Sequence, residues 1–271
     1  MSDDVKVGVV GCAGRMGQLI VREVSATDGC VVAGATEASG NPAVGQDAGA
    51  VAGIGDIGVT VGDDPAAMIA AVDAVVDFTV PAATVEHARL AAQAEAVLIA
   101  CTTGLDPDQE AQVARAAQHV PVVRAPNMSI GVTVLLALTE EVAGILGPEY
   151  DIEIVEMHHR HKVDAPSGTA IGLGEAAAAG RNVDLAAVRK AVRDGHTGPR
   201  PAGEIGFATL RGGDVPGDHS VIFAGEGERI ELTHRAGSRQ VFAAGAVRAL
   251  LWAKDKPSGL YSMKQVLGFA N

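Results

Sequence analysis

Hydrophobic positions along the chain follow a repeating rhythm. Val5-Lys6-Val7-Gly8-Val9-Val10 is a short β-branched run and reads as a strand buried on both faces, as in parallel sheets. Gly11, Gly14 and Gly17 follow, then a helical run over 18–24 and a second strand, Val31 to Thr36, ending at Glu37. Residues 45–62, rich in Gly, Ala and Val, read as a loop plus a short strand. The alternation then resumes. Asp64-Pro65 opens a helix to about Ala71, and Ala74–Thr79 is a strand. Ala82–Ala94 is a helix and Val97–Cys101 a strand. Asp106-Pro107 is an N-cap with proline at the first helical position, starting a helix to about Gln118, and Val120–Val123 is the next strand. This repeat predicts an α/β fold, a Rossmann-type doubly wound parallel sheet.

The rhythm changes after a long apolar helix, Val132 to Leu146, closed by Gly147-Pro148. Ile152–Met157 reads as a strand, and helices are predicted over Thr169–Ala179 and Leu185–Arg193. Three strands then come in series: Ile205–Leu210, His219–Phe223 and Arg229–His234. Strands in a run predict a second, α+β domain with a mixed or mostly antiparallel sheet. Helices over Arg239–Trp252 and Tyr261–Leu267 complete the chain.

Composition narrows the function. The chain has 271 residues, enough for two domains, and carries net charge −12 with only 3% aromatic residues. An acidic surface without base-stacking aromatics argues against nucleic-acid binding. No apolar stretch reaches the roughly 18–20 residues that span a bilayer, and the acidic start Met1-Ser2-Asp3-Asp4 is not the basic lead of a signal peptide. The expectation is a cytoplasmic protein with no membrane partner. Three widely spaced cysteines, Cys12, Cys30 and Cys101, fit reduced thiols better than a disulfide framework.

Two stretches carry chemistry. Strand, glycines, helix, second strand and Glu37 occur in the order of a dinucleotide site: glycines let backbone approach a pyrophosphate at a helix start, and an acid about 20 residues on receives ribose hydroxyls. Against it stands an ordinary tight turn in a glycine-rich chain. Segments 78–81, 101–104 and 125–128 lie at strand ends, where ligands of such sheets bind, or simply turn the chain. The second stretch is Glu156-Met-His-His-Arg-His-Lys-Val-Asp-Ala-Pro-Ser-Gly-Thr-Ala170. Five consecutive His or basic residues precede a helix start, which suits an anionic small molecule and supplies proton donors near neutral pH. A solvated basic face is the plain alternative. A metal site is disfavoured, because the cysteines are remote and no His-Glu-x-x-His occurs.

Taken together, Gly11-x-x-Gly14-Arg15-Met16-Gly17 and Glu156–Ala170 resemble the dihydrodipicolinate reductase family (4-hydroxy-tetrahydrodipicolinate reductases). Asp77-Phe-Thr, Thr102-Thr-Gly, Ala125-Pro-Asn-Met-Ser, Ile205-Gly-Phe-Ala-Thr-Leu-Arg and Arg248-Ala-Leu-Leu-Trp fit it in order, so the likeness covers nearly the whole chain. The resemblance implies a dinucleotide-binding domain over 1–129 completed by 239–271, and a substrate-binding and tetramerisation domain over 130–238 of a homotetramer. It implies reduction of 4-hydroxy-tetrahydrodipicolinate by NADH or NADPH, with loss of water, in the diaminopimelate route to lysine. By motif position, His158 is the implied acid–base residue and Lys162 a proton donor; His159, Ser167, Gly168 and Thr169 are the implied carboxylate-binding set. The implied cofactor contacts are Gly11, Cys12, Ala13, Gly14, Arg15, Met16, Glu37, Cys101, Thr102, Thr103, Ala125, Pro126, Asn127 and Met128. Other two-domain amino-acid dehydrogenases share the cofactor half but not the basic cluster. A nucleotide-sensing protein would not need His158 and Lys162.

The chain departs from the family at two places. Several NADPH-using members carry Arg directly after the ribose-binding acid, where this chain has Ala38. Cys101 stands where Gly is common.

Overall fold

A computed structural model of the chain describes residues 4–269. Of the acidic start, residues 1–3 lie outside that range. The chain divides into two compact units: residues up to 130 together with those from 239 onward, and residues 131–238.

In the first unit, β1 (Val5–Val10), α1 (Arg15–Ala26), β2 (Cys30–Thr36), α2 (Ala48–Ala52), β3 (Val61–Gly62), α3 (Pro65–Ile69), β4 (Ala74–Asp77), α4 (Pro81–Ala94), β5 (Val97–Ala100), α5 (Pro107–Ala116) and β6 (Pro121–Arg124) follow in order. The second unit takes α6 (Ile130–Ile145) from its second residue on, then β7 (Asp151–His158), α7 (Gly168–Gly180), α8 (Leu185–Val188), β8 (Arg189–Lys190), β9 (Ile205–Arg211), β10 (Asp218–Ala224) and β11 (Arg229–Arg235). The chain then returns to the first unit with α9 (Gln240–Ala253), β12 (Gly259–Tyr261) and α10 (Met263–Val266).

The first sheet runs β12-β6-β5-β4-β1-β2-β3, with every described pairing parallel. It is wound on both faces. Val7, Val9, Val76 and Ile99 pack with Ile20 and Val24 of α1 and with Ala246 and Leu250 of α9. Val10, Val75 and Leu98 pack with Ile69, Ala88 and Val113 from α3, α4 and α5. The near-continuous apolar strands of the sequence are the consequence of this double cover. Gly8 and Gly34 serve close packing: a Cβ at Gly8 would lie 2.3 Å from Met68 Sδ, and one at Gly34 would lie 2.6 Å from Met68 Cγ.

The second sheet runs β11-β10-β7-β9-β8 and is mixed: β7–β9 and β8–β9 are parallel, β7–β10 and β10–β11 antiparallel. Along β7 burial alternates strictly, with Ile152, Ile154, Glu156 and His158 inward. Ile152 and Ile154 pack with Leu173 of α7, Phe207 of β9 and Phe223 of β10. The opposite face of this sheet carries Val155, Met157 and Ile222, half-buried, and the exposed Leu210.

Four sequence expectations need correction. Helix α1 starts at Arg15, three residues before Gln18, because Gly14 is already its N-cap. The stretch 45–62 holds a helix, α2, organised by Asp47, whose carboxylate accepts from the backbone N–H of Gly49, Ala50, Ile57, Gly58 and Val59. The helix predicted over 185–193 stops at Val188, because Arg189-Lys190 pair with Ile205-Gly206 and the Arg189 guanidinium lies over the Phe207 ring, 5.4 Å from its centroid. Gly259–Tyr261 is an edge strand on β6, not the start of a helix, and the Tyr261 ring packs edge-on against Trp252 at 5.1 Å.

Candidate active site

The glycine loop of the first unit is built for close approach. Gly11 has φ of 66°, a left-handed conformation that side chains rarely adopt. A Cβ on Gly17 would lie 2.1 Å from the Gly11 carbonyl oxygen and 2.6 Å from Cys12 Cα, so helix and loop can meet only without one. The Glu37 carboxylate accepts from Ala13 N at 3.0 Å, Ala38 N at 3.1 Å and Asn41 Nδ2 at 3.2 Å, which fixes it beside the loop at the end of β2. Gly14 and Arg15 are exposed. The Cys12 thiol is buried, and burial with the nearby Glu37 pushes it up to about 11.

A cleft of about 300 Å³ in the same unit is lined by Met16, Cys101, Thr102, Thr103, Pro126, Asn127 and Met128, together with Phe78, Thr79, Arg239 and Phe242. Seven of the fourteen sequence-predicted cofactor contacts therefore share one cavity. Ala125 is buried behind it, its N–H bonded to the Ala100 carbonyl at 3.3 Å. Gly11, Cys12, Ala13, Gly14, Arg15 and Glu37 form the loop-and-acid end. Glycine cradle, helix start, anchored carboxylate and cleft at the strand ends fit a nicotinamide dinucleotide.

Thr102 turns its hydroxyl inward. It donates to Asp77 Oδ1 at 3.2 Å and accepts from Thr79 N at 3.0 Å and Thr84 Oγ1 at 2.7 Å. Asp77 is fully buried and meets His87 Nδ1 at 2.9 Å. Burial would raise this carboxyl, but His87 and Thr79 hold it below its usual range. A buried carboxylate thus braces the floor of the cleft.

In the second unit, β7 delivers Glu156 and His158 to one face of the sheet, two residues apart. His158 Nδ1 lies 2.5 Å from Glu156 Oε2. The same carboxylate receives Arg211 from β9 at 2.8 and 3.0 Å and the Ser167 N–H at 3.0 Å. Arg211 Nη2 also donates to the Asp164 carbonyl at 2.6 Å. These bonds tie down the loop 159–167 that carries Lys162. Lys162 Nζ lies 2.8 Å from Asp164 Oδ1, and His159 N donates to the Val215 carbonyl at 2.8 Å. Arg160 and His161 are exposed. Ser167 is the N-cap of α7, accepting Ala170 N on Oγ at 3.1 Å, and Gly168 and Thr169 form the helix's first turn. The sequence-predicted set His158, His159, Lys162, Ser167, Gly168 and Thr169 therefore lies on one strand end, loop and helix start.

The electrostatics divide the labour. Burial pushes the His158 imidazole down, against the upward pull of Glu156 and with Lys162 and Arg211 adding to the fall. Burial would raise Glu156, but Arg211, His158 and Ser167 N–H hold it below the usual carboxylate range. At neutral pH the pair is an ionised carboxylate and a neutral imidazole. Nδ1–H then points at Glu156, and Nε2 carries the imidazole's lone pair. Among the described residues no group of three or more His, Cys, Asp or Glu is arranged to hold a metal ion, and no helix is long and apolar enough to cross a membrane.

Comparison with known proteins decides the family. Residues 5–128 match the family profile "Dihydrodipicolinate reductase, N-terminus" and residues 131–267 match "Dihydrodipicolinate reductase, C-terminus". The chain belongs to the dihydrodipicolinate reductase family. A 4-hydroxy-tetrahydrodipicolinate reductase of Methylocella silvestris is 55% identical, over 99% of this chain and 98% of that protein. A protein of the same name from a Chelativorans species is 56% identical, over 98% and 97%. Among solved structures, a dipicolinate-bound dihydrodipicolinate reductase from a Paenisporosarcina species superposes with TM-score 0.75 at 24% identity, covering 96% of this chain and 97% of that one. An amine dehydrogenase from Mycobacterium smegmatis superposes with TM-score 0.61 at 14% identity, a likeness of fold alone.

Sequence reading assigned no role to four residues that the fold makes central: Asp77, Glu156, Arg211 and His219. For Glu156 a signal was present. Ile152, Ile154, Glu156 and His158 occupy alternate positions of one strand, so an acid two before the histidine had to share its buried face. Arg211 and His219 reach the site only through sheet pairing, opposite His158 and Glu156 respectively.

Proposed function

We propose that this chain catalyses the NAD(P)H-dependent reduction of 4-hydroxy-tetrahydrodipicolinate to tetrahydrodipicolinate, with loss of water, in the diaminopimelate route to lysine. The arrangement that carries this reading is the Glu156-held His158, with Lys162 on the loop that the same carboxylate and Arg211 pin, leading into the Ser167-capped helix. Each turnover removes one water and adds one hydride and one proton. The nicotinamide cofactor supplies the hydride when bound.

The chain's own residues supply the rest. Gly11 to Met16 hold the pyrophosphate at the start of α1, and Glu37 receives a ribose hydroxyl. Cys101 to Thr103 and Ala125 to Met128 border the nicotinamide end. The α7 start at Ser167, Gly168 and Thr169, with His159, holds the substrate carboxylates. Lys162 is the ammonium that donates a proton as the ring nitrogen gains negative character. His158, neutral with Nε2 open, takes up and returns protons during loss of water.

Glu37 followed by Ala38 favours NADH at least as much as NADPH, because a carboxylate repels a 2′-phosphate and Ala38 offers no cation. The open face of the second sheet supports a homotetramer assembled through residues 130–238. Buried cysteines and the biosynthetic role fit a cytoplasmic enzyme without nucleic-acid or membrane partners. The test is nicotinamide oxidation with substrate generated in situ by dihydrodipicolinate synthase. Oxidation that needs the generated substrate is the expected result; its absence with both NADH and NADPH overturns the reading.

A further inference from the structure

His219 enters the second unit's site from β10 and is 3% exposed. Its Nε2 lies 3.1 Å from Ser167 Oγ, and its ring stands edge-on to His158 with centroids 5.1 Å apart. Its Nδ1 has no hydrogen-bond partner among the described residues. Ser167 Oγ also accepts the backbone N–H of Ala170 at 3.1 Å.

These contacts restrict where the protons sit. A neutral imidazole carries one N–H and one lone pair. With the proton on Nδ1, a buried N–H would lack an acceptor. With the proton on Nε2, only a lone pair goes unused, and unfilled acceptors are tolerated better than unfilled donors. His219 is held neutral, since burial pushes it down to about 4, with Lys162 nearby adding to the fall against Glu156. Nε2–H then donates to Ser167. That hydroxyl already accepts from Ala170, so both its acceptor sites are filled by protein and its own hydrogen is left to donate to a third group.

We propose that His219 is a positioning residue for substrate: it forces the Ser167 hydroxyl to act as a donor, giving the carboxylate site at the start of α7 a fixed O–H that selects an anionic oxygen. The proposal rests on the reading of Ser167 as a substrate-carboxylate contact. A donor fixed in this way favours a carboxylate over an amide or ester at the same place, because the site's hydroxyl hydrogen cannot turn away to present a lone pair.

The experiment uses the full-length protein and dipicolinate (pyridine-2,6-dicarboxylate) as probe. His219→Phe should raise the dipicolinate Kd and the substrate KM about tenfold while kcat changes less than about threefold and cofactor affinity is unchanged, the pattern of a lost ground-state contact. His219→Gln, which can place an amide N–H near the Nε2 position, should recover most of the affinity. Ser167→Ala should weaken dipicolinate binding as much, and His219→Phe added to it should cost little more. Independently of any variant, nitrogen-15 spectra of the parent should show His219 protonated at Nε2 and unprotonated at Nδ1. A proton on Nδ1, or parental dipicolinate affinity in His219→Phe with Ser167→Ala impaired, overturns the inference and leaves the substrate site standing. Parental affinity in Ser167→Ala overturns both.

Discussion

His158 and Glu156, two residues apart on the inward face of β7, are joined through Nδ1 and Oε2 at 2.5 Å, and the glutamate is 1% exposed. A buried carboxylate in this place fixes both the orientation and the tautomer of the imidazole. Arg211 and Ser167 N–H share its charge, so it stays ionised without His158 having to be cationic. Under the proposed mechanism this contact would make Glu156 a positioning residue. Glu156→Gln should lower kcat by roughly 10²-fold, at the lower edge of the roughly 10²–10⁴-fold loss when a proton-transfer group itself is removed. Cofactor affinity should be unchanged. Steady-state kinetics with separate calorimetry on the cofactor checks this; parental kcat would remove Glu156 from the mechanism.

Lys162→Ala and His158→Ala should each lower kcat by roughly 10²–10⁴-fold. His159→Ala should chiefly raise KM, because a residue holding a carboxylate serves ground and transition states alike. Loss of cofactor binding in the first two variants would instead assign the cluster to the nucleotide.

Ala38→Arg should improve use of NADPH by setting a guanidinium next to Glu37, where a 2′-phosphate would lie. The comparison is kcat/KM with NADH and NADPH for parent and variant. A parent that already prefers NADPH by tenfold, about 1.4 kcal/mol, contradicts the reading of Glu37 and Ala38.

The sheet face bearing Val155, Met157, Leu210 and Ile222 should be covered by other copies of the chain. Light scattering should give a tetramer at micromolar concentration, and Leu210→Lys should shift it toward smaller species, since a charge buried in such a face is costly. A monomeric parent would sink the assembly proposal.

Acid should destabilise the protein in a defined window. His219 falls from 6.5 in an unfolded chain to about 4 in the fold. Between these values the unfolded state binds the extra proton, so this contribution to stability is complete above pH 6.5 and is lost as pH falls toward 4. The shift corresponds to about 3 kcal/mol, most of it gone by pH 4.5. His158 and His234 are shifted downward as well and act in the same direction. Urea unfolding at pH 7 and pH 4.5 should show the loss, with a smaller difference in His219→Gln. Equal pH dependence in the two proteins would refute the assignment to His219.

Local chemistry made much of this molecule legible from residues alone. β-branched runs separated by amphipathic helices can be buried only between two helical layers, so the doubly wound sheet followed from periodicity. The glycine loop, Glu37 and the basic cluster ahead of Ser167 were visible because each element of such a site is contiguous or at a fixed spacing. Short elements escaped. The α2 helix depends on Asp47 reaching N–H groups as far along the chain as Val59, and β12 exists because β6 offers an edge. Tertiary structure alone decided what surrounds the imidazole. Arg211 lies 55 positions from Glu156, and His219 lies 52 from Ser167. Such partners meet only when β9 and β10 pair with β7 in one register, and hydrophobic periodicity reports a side chain's face but not its neighbour on the next strand. Whether His158 is neutral, which way Ser167 points its hydrogen and why Thr102 turns inward are set by burial and by those cross-strand neighbours, neither of which a linear pattern contains.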